Sequence, residues 1–114
     1  MSAGSIVARE LADIFKQLSH PDRVRLIEEL RAGERSVGDL AERLELPAAR
    51  VSQHLAQLRA HRLVEERREG RQHLYQLTEP GFADWVASAA HFVEGRVPID
   101  PQIVHAALAA WLGV

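Results

Sequence analysis

The chain has 114 residues, 46% hydrophobic and 26% charged, with a net charge of −2 and no cysteine. That is the size of one ordinary soluble domain, and it excludes disulfides, thiolate metal sites and thiol redox switching. No run reaches the roughly 18 apolar residues of a membrane span, and Met1-Ser2-Ala3-Gly4-Ser5 lacks the basic start and apolar stretch of a signal peptide, so a cytoplasmic protein with no membrane partner is expected.

Residues 5–18 place Val7, Leu11, Ile14, Phe15 and Leu18 at helical spacing. Ser19-His20-Pro21-Asp22 breaks that pattern; Ser19 is a candidate cap for a second helix, and Pro21 suits its first turn. This helix runs to about Leu30 with Val24, Ile27 and Leu30 inward, and Gly33 ends the region. Ser36, followed three residues later by Asp39, has capping-box spacing and opens a third helix with an apolar stripe of Val37, Leu40, Ala41 and Leu44. After the short break at Leu46-Pro47, a fourth helix covers about Ala48 to His61, with Val51, Leu55 and Leu58 inward. Strands at Leu63–Arg67 and Gln72–Leu77 flank Arg68-Glu69-Gly70-Arg71, a glycine-bearing hairpin turn. Beyond Glu79-Pro80-Gly81, a long helix from about Phe82 to Glu94 puts Phe82, Trp85, Val86, Ala89 and Val93 on one side, and a last helix spans about Pro101 to Leu112. Trp85 and Trp111 read as packing residues. The expected fold is mainly α with a β-hairpin wing: four helices, the hairpin and two more helices, a winged helix-turn-helix built on helices three and four. One domain is expected over 1–114.

Charge is unevenly distributed. Residues 47–76 carry Arg50, Arg59, Arg62, Arg67, Arg68 and Arg71 against Glu65, Glu66 and Glu69, whereas the segments on either side are net acidic. A face that meets phosphates would look like this, and so would a solvated charged face. On helix four, Arg50, Gln53, His54 and Gln57 fall at i, i+3, i+4 and i+7, opposite the apolar positions. Arg and Gln make two-point contacts with base edges in the major groove. Ser52 beside them suits a phosphate, as does the helix start with its unpaired N–H groups. An ordinary amphipathic helix would share the stripe. The wing that follows, with Arg67, Arg68 and Arg71 near its tip, favours DNA. His61 and His73 read as structural or phosphate-facing.

Leu18-Ser19-His20-Pro21-Asp22-Arg23-Val24-Arg25-Leu26-Ile27, Val37-x-x-Leu40-Ala41, Val51-Ser52-Gln53-His54-Leu55-x-x-Leu58-Arg59, Leu63-Val64 and Gly70-Arg71-x-x-x-Tyr75-x-Leu77 resemble the ArsR/SmtB family of bacterial repressors, over about residues 7–94. The resemblance implies a DNA-binding core at about 19–77 and a homodimer whose dimerisation helices, at about 5–18 and 82–112, pack across a two-fold axis, presenting two recognition helices to a pseudo-palindromic double-stranded operator. It also implies an effector, in many members a metal ion. The family's thiolate site would fall at Ser36 and Gly38, neither a ligand, and its carboxylate-and-imidazole site at Glu79, Gly81, Phe92 and Gly95, where Glu79 alone could bind a metal. A different pair, His91 and Glu94 at i, i+3 with Asp84 on the same face and His105 as a further contributor, is a candidate nickel or zinc site across a dimer; plain surface polarity would give the same residues. A small organic molecule or a partner protein are the other effector classes. Arg62 stands where the family usually has glycine, so the end of helix four is expected to differ in detail.

The expected function is therefore a dimeric, sequence-specific DNA-binding transcriptional regulator. A winged-helix protein-interaction module is the alternative, disfavoured by the basic and amide side chains of helix four and the wing. An enzyme is not expected: the chain has no glycine-rich phosphate loop, no nucleophile with its base and no metal triad.

Overall fold

The structure is a computed structural model and describes residues 2–112. Helix α1 spans Ala3–Gln17 and starts earlier than its apolar periodicity suggests, because Ser2 caps it: the Ser5 N–H donates to the Ser2 hydroxyl at 3.2 Å. At its other end Ser19 donates its hydroxyl to the Lys16 carbonyl at 2.6 Å. That commitment corrects the expectation that Ser19 caps the next helix. Helix α2, Pro21–Glu29, is preceded by His20 and has no side-chain cap; Pro21 reduces the need for one by lacking an N–H. A 3-10 turn, Leu30–Ala32, carries the chain to Gly33, whose φ of 125° is open to glycine and strained for other residues.

A two-residue strand follows, β1 at Arg35–Ser36, which the sequence reading did not contain. Ser36 is at once its second residue and the cap of helix α3, Val37–Leu44: the Asp39 N–H donates to its hydroxyl at 3.0 Å. The Asp39 carboxylate does not close the box; it takes a hydrogen bond from Arg35 Nη1 at 2.9 Å. Helix α4 is Ala48–Ala60. Both helices of this pair end alike. Glu45 (φ 56°) and Arg62 (φ 61°) enter the left-handed region, and the next leucine folds its N–H back, Leu46 onto the Ala41 carbonyl at 3.0 Å and Leu63 onto the Leu58 carbonyl at 2.9 Å. The expected departure at Arg62 therefore does not occur: the turn keeps its left-handed geometry without glycine. The buried Leu63 side chain and its backbone hydrogen bond outweigh a strain of about 1–2 kcal/mol.

Strands β2 (Val64–Glu69) and β3 (Gln72–Leu77) pair antiparallel through a two-residue loop, Gly70-Arg71, with Gly70 at φ 60°. Strand β1 adds to the free side of β3, giving the order β1-β3-β2. The core of this unit comprises Leu26 and Ile27 of α2, Leu40 of α3, Val51, Leu55 and Leu58 of α4, all fully buried, together with Val64, Tyr75 and Leu77 of the sheet. Burying one face of α4 so completely leaves its opposite face to solvent, which is what a reading head requires.

The described residues divide between Pro80 and Gly81 into two compact units. The second contains α5 (Phe82–Ser88), a 3-10 stretch at Ala89–Val93 and α6 (Pro101–Leu112). The single helix expected to Glu94 gives way at Ser88, whose hydroxyl donates to the Trp85 carbonyl at 2.6 Å and competes with the helical ladder. The buried positions are Ala83, Ala87 and Val104; Trp85 and Val93, expected on the packed side, are exposed. No helix among the described residues is long and apolar enough to cross a membrane.

Candidate nucleic-acid interface

Helix α4 presents Arg50, Ser52, Gln53 and Gln57 to solvent, and none of these side chains is hydrogen-bonded to another group among the described residues. Pro47 precedes the helix and supplies no side-chain acceptor, so the N–H groups of Ala48 and Ala49 are also available to an anion, that of Arg50 being bonded to the Pro47 carbonyl at 3.0 Å. Amide and guanidinium groups held in a row by a rigid, half-buried helix can make two-point contacts with base edges.

His54 does not join that row. It lies three residues after Val51 and four before Leu58, at the border of the buried face, and is half-buried. Its Nδ1 accepts a hydrogen bond from Arg23 Nε at 3.1 Å, its Nε2 is 3.9 Å from the Asp22 carboxylate, and its ring centre is 5.8 Å from that of His20. Burial, and next the Arg23 charge, holds the imidazole below its ordinary pKa. His54 braces α4 against α2.

The wing is organised by the two-residue alternation of strands. Val64, Glu66 and Arg68 share one face with Tyr75 and His73; Arg67 and Glu69 are on the other. Glu66 is the centre of the first face. It accepts from Tyr75 Oη at 2.9 Å, is 2.9 Å from His73 Nδ1 and accepts from Arg59 Nη1 at 3.0 Å. The hydrogen bonds from His73 and Tyr75 keep its carboxyl below the usual range, while burial and then Glu66 push the Tyr75 phenol up. On the other face Arg67 is clamped. Its Nε and Nη2 donate to the two oxygens of Glu34 at 3.0 and 2.6 Å, and Nη2 also reaches Glu69 at 2.9 Å. These bonds, Glu34 first, raise its pKa further above the ordinary arginine value. Arg67 therefore stands apart from the expected phosphate-facing group. Arg68 is nearest His73 Nε2, at 3.5 Å, and Arg71 is exposed in the hairpin loop.

Between the start of α3, α4 and the wing lies a groove of 630 Å³ lined by Ser36, Ser52, Arg59, Glu66, Arg71 and Tyr75, among others. The fold thus brings Ser52 and Arg71 into one concavity. Arg59, seven residues or two helical turns after Ser52, also lines it, with its guanidinium held by Glu66.

The profile of the bacterial regulatory protein, arsR family, matches residues 20–66, from the residue before α2 into β2. The HTH-type transcriptional regulator KmtR of Mycobacterium tuberculosis is 37% identical over 92 residues, covering 81% of this chain and 71% of that protein. The chain belongs to the ArsR family of bacterial regulatory proteins. Solved structures agree: the transcriptional repressor BigR from Xylella fastidiosa superposes with a TM-score of 0.69 at 36% identity over 81% of this chain and 96% of that one. A homodimeric winged helix-turn-helix DNA-binding domain from Mycobacterium bovis gives 0.71 at 25% identity over 84% and 90%. The expected winged helix-turn-helix fold is therefore borne out.

Of the positions that the resemblance implies for metal ligands, Ser36, Gly38, Gly81, Phe92 and Gly95 carry no imidazole, carboxylate or thiolate. The substitute pair falls where the helix has loosened: His91 is in the 3-10 stretch against Phe92, and Glu94 follows it, 4.0 Å from His105 Nδ1. No three ligating side chains come together among the described residues, so a metal here would need further ligands from a second copy.

Proposed function

We propose that this protein is a cytoplasmic, homodimeric transcriptional repressor that reads an operator with Arg50, Gln53 and Gln57 of α4 and holds the flanking phosphates with Ser52, Arg68 and Arg71. The observation that carries the reading is the unpaired polar face of α4, directly opposite a fully buried one and beside a basic wing. Dimerisation is supported by apolar groups that each unit leaves in solvent: Val7, Leu11 and Phe15 along α1, and Trp85, Phe92 and Val93 in the second unit. The test is fluorescence anisotropy of the purified chain with DNA from its own upstream region. Tight, sequence-dependent binding is expected; its absence at low salt would leave a winged-helix protein-interaction module. Leu11→Asp should yield a folded monomer by sedimentation, since it places a charge in the apolar seam, and a persisting dimer would put the interface elsewhere.

The effector we infer is a nickel or zinc ion shared between subunits, because Glu94 and His105 are already adjacent and His91 precedes them. Adding either metal in the same assay should change operator affinity. Indifference to both would turn the search to an organic ligand or a partner protein.

A further inference from the structure

A second cleft, of 360 Å³, lies where the end of α1, the start of α2 and the last turns of α4 meet. Lys16, Gln17, Arg23 and Gln57 line it, with Asp13 as its one carboxylate. Its size is at the lower end of small-molecule sites, about 300–1,000 Å³.

Arg23 is the unusual group. Its guanidinium is part-buried, yet every acceptor it finds is neutral: His54 Nδ1 at 3.1 Å, Gln17 Oε1 at 2.9 Å and the Gln17 carbonyl at 3.4 Å. The neighbouring carboxylate, Asp22, is instead beside Arg25 at 3.5 Å. Withdrawing a cation from water without an opposite charge is costly. Gln17 is 6% exposed, the one buried polar residue among those described, and its oxygen is committed to Arg23. That leaves its amide N–H groups, Arg23 Nη2 and the Lys16 ammonium without acceptors among the described residues, three donors around one cleft.

We propose that this cleft binds a small free anion bearing a carboxylate or phosphate group, whose oxygens accept charge-assisted hydrogen bonds from Arg23, Lys16 and the Gln17 amide. The anion reports to α4 by two routes: Arg23 holds His54, and Gln57 belongs both to the cleft and to the DNA-facing row. Binding itself stands independently of the repressor reading; its effect on operator affinity rests on it.

The test uses the full chain without DNA, labelled with nitrogen-15 and titrated with inorganic phosphate against sodium chloride at matched ionic strength. Saturable shifts of the Arg23 Nε–H and Gln17 side-chain amide signals are expected with phosphate alone. In Arg23→Gln, where Gln17 is the remaining reporter, its shift should be lost. Both shifts should be weakened in Lys16→Gln, whose side chain is outside the Arg23–Gln17–His54 hydrogen bonds and whose fold should survive. Shifts that do not saturate or that chloride reproduces, or a Gln17 shift unchanged in both variants, overturn the proposal. A DNA arm separates the free anion from the operator backbone. An unchanged salt slope for Lys16→Gln supports a free ligand. A slope smaller by about one unit assigns the cleft to a DNA phosphate and overturns it. If the chain binds no DNA at all, the phosphate titration still decides.

Discussion

The outer face of α4 and the wing both offer long polar side chains to solvent, but they differ in what those side chains already hold. Arg50, Ser52, Gln53 and Gln57 engage no other side chain, whereas on the wing Arg67 is bound by Glu34 and Glu69 and Arg59 reaches across to Glu66. The donors on α4 remain open to a ligand; the paired arginines have spent their charge on geometry. A surface rich in arginine is therefore not uniformly a surface for phosphate, and the distinction is set by the carboxylates that the fold brings near.

The largest effect should come from the side of α4 that makes this comparison possible. Leu55→Ala should cost about 2–5 kcal/mol in urea unfolding, since the side chain is fully buried between helices; a loss under about 1 kcal/mol would mean that the helix is not anchored as described. Gln53→Ala and Arg50→Ala should each weaken operator binding by about 1–3 kcal/mol with unfolding unchanged. Unaltered affinity in both would remove α4 from sequence reading. The sharpest contrast is within the wing. Arg71→Ala should weaken binding to every sequence and lower the salt slope by about one, while Arg67→Ala should leave that slope as it is. Equal slopes for the two variants would erase the distinction between free and paired arginines.

A smaller effect is expected from His54. Its folded pKa is below the ordinary value near 6.5, so the fold binds the neutral ring in preference. The stability this contributes is complete above the unfolded pKa and is lost as pH falls through the lower, folded one. Protonation also removes the acceptor that Arg23 Nε uses. Thermal melts from pH 8 to 5 should show a decline in Tm that is shallower in His54→Asn; parallel curves would place the titration elsewhere.

Most of this fold is legible in the sequence wherever a segment is long enough to show a period. The stripes Val37–Leu44 and Val51–Leu58, the alternation at Gln72–Leu77 and the glycine of the two-residue turn are local signals, and the structure follows them. Strand β1 is two residues long and has no period to read. The 3-10 stretch at Ala89–Val93 arises from a competing serine hydroxyl, which apolar spacing does not register. The site is harder to read for the same reason. Helical spacing finds Arg50, Gln53 and Gln57, but it cannot say that His54, at the edge of the stripe, turns inward to an arginine 31 residues earlier. Nor can it pair Arg67 with Glu34, 33 residues before it.

Ser36 belongs to two structures at once: it pairs with Leu74 in the sheet, and its hydroxyl starts α3. The wing and the helix-turn-helix are therefore joined by a fulcrum two residues long. A wing pushed against DNA would act as a lever on α3, and α3 is joined to α4 by only Glu45, Leu46 and Pro47. In hydrogen exchange the amides of β3 and of the first turns of α3 should then open together, as one cooperative unit, rather than as a loose hairpin hung on a rigid body.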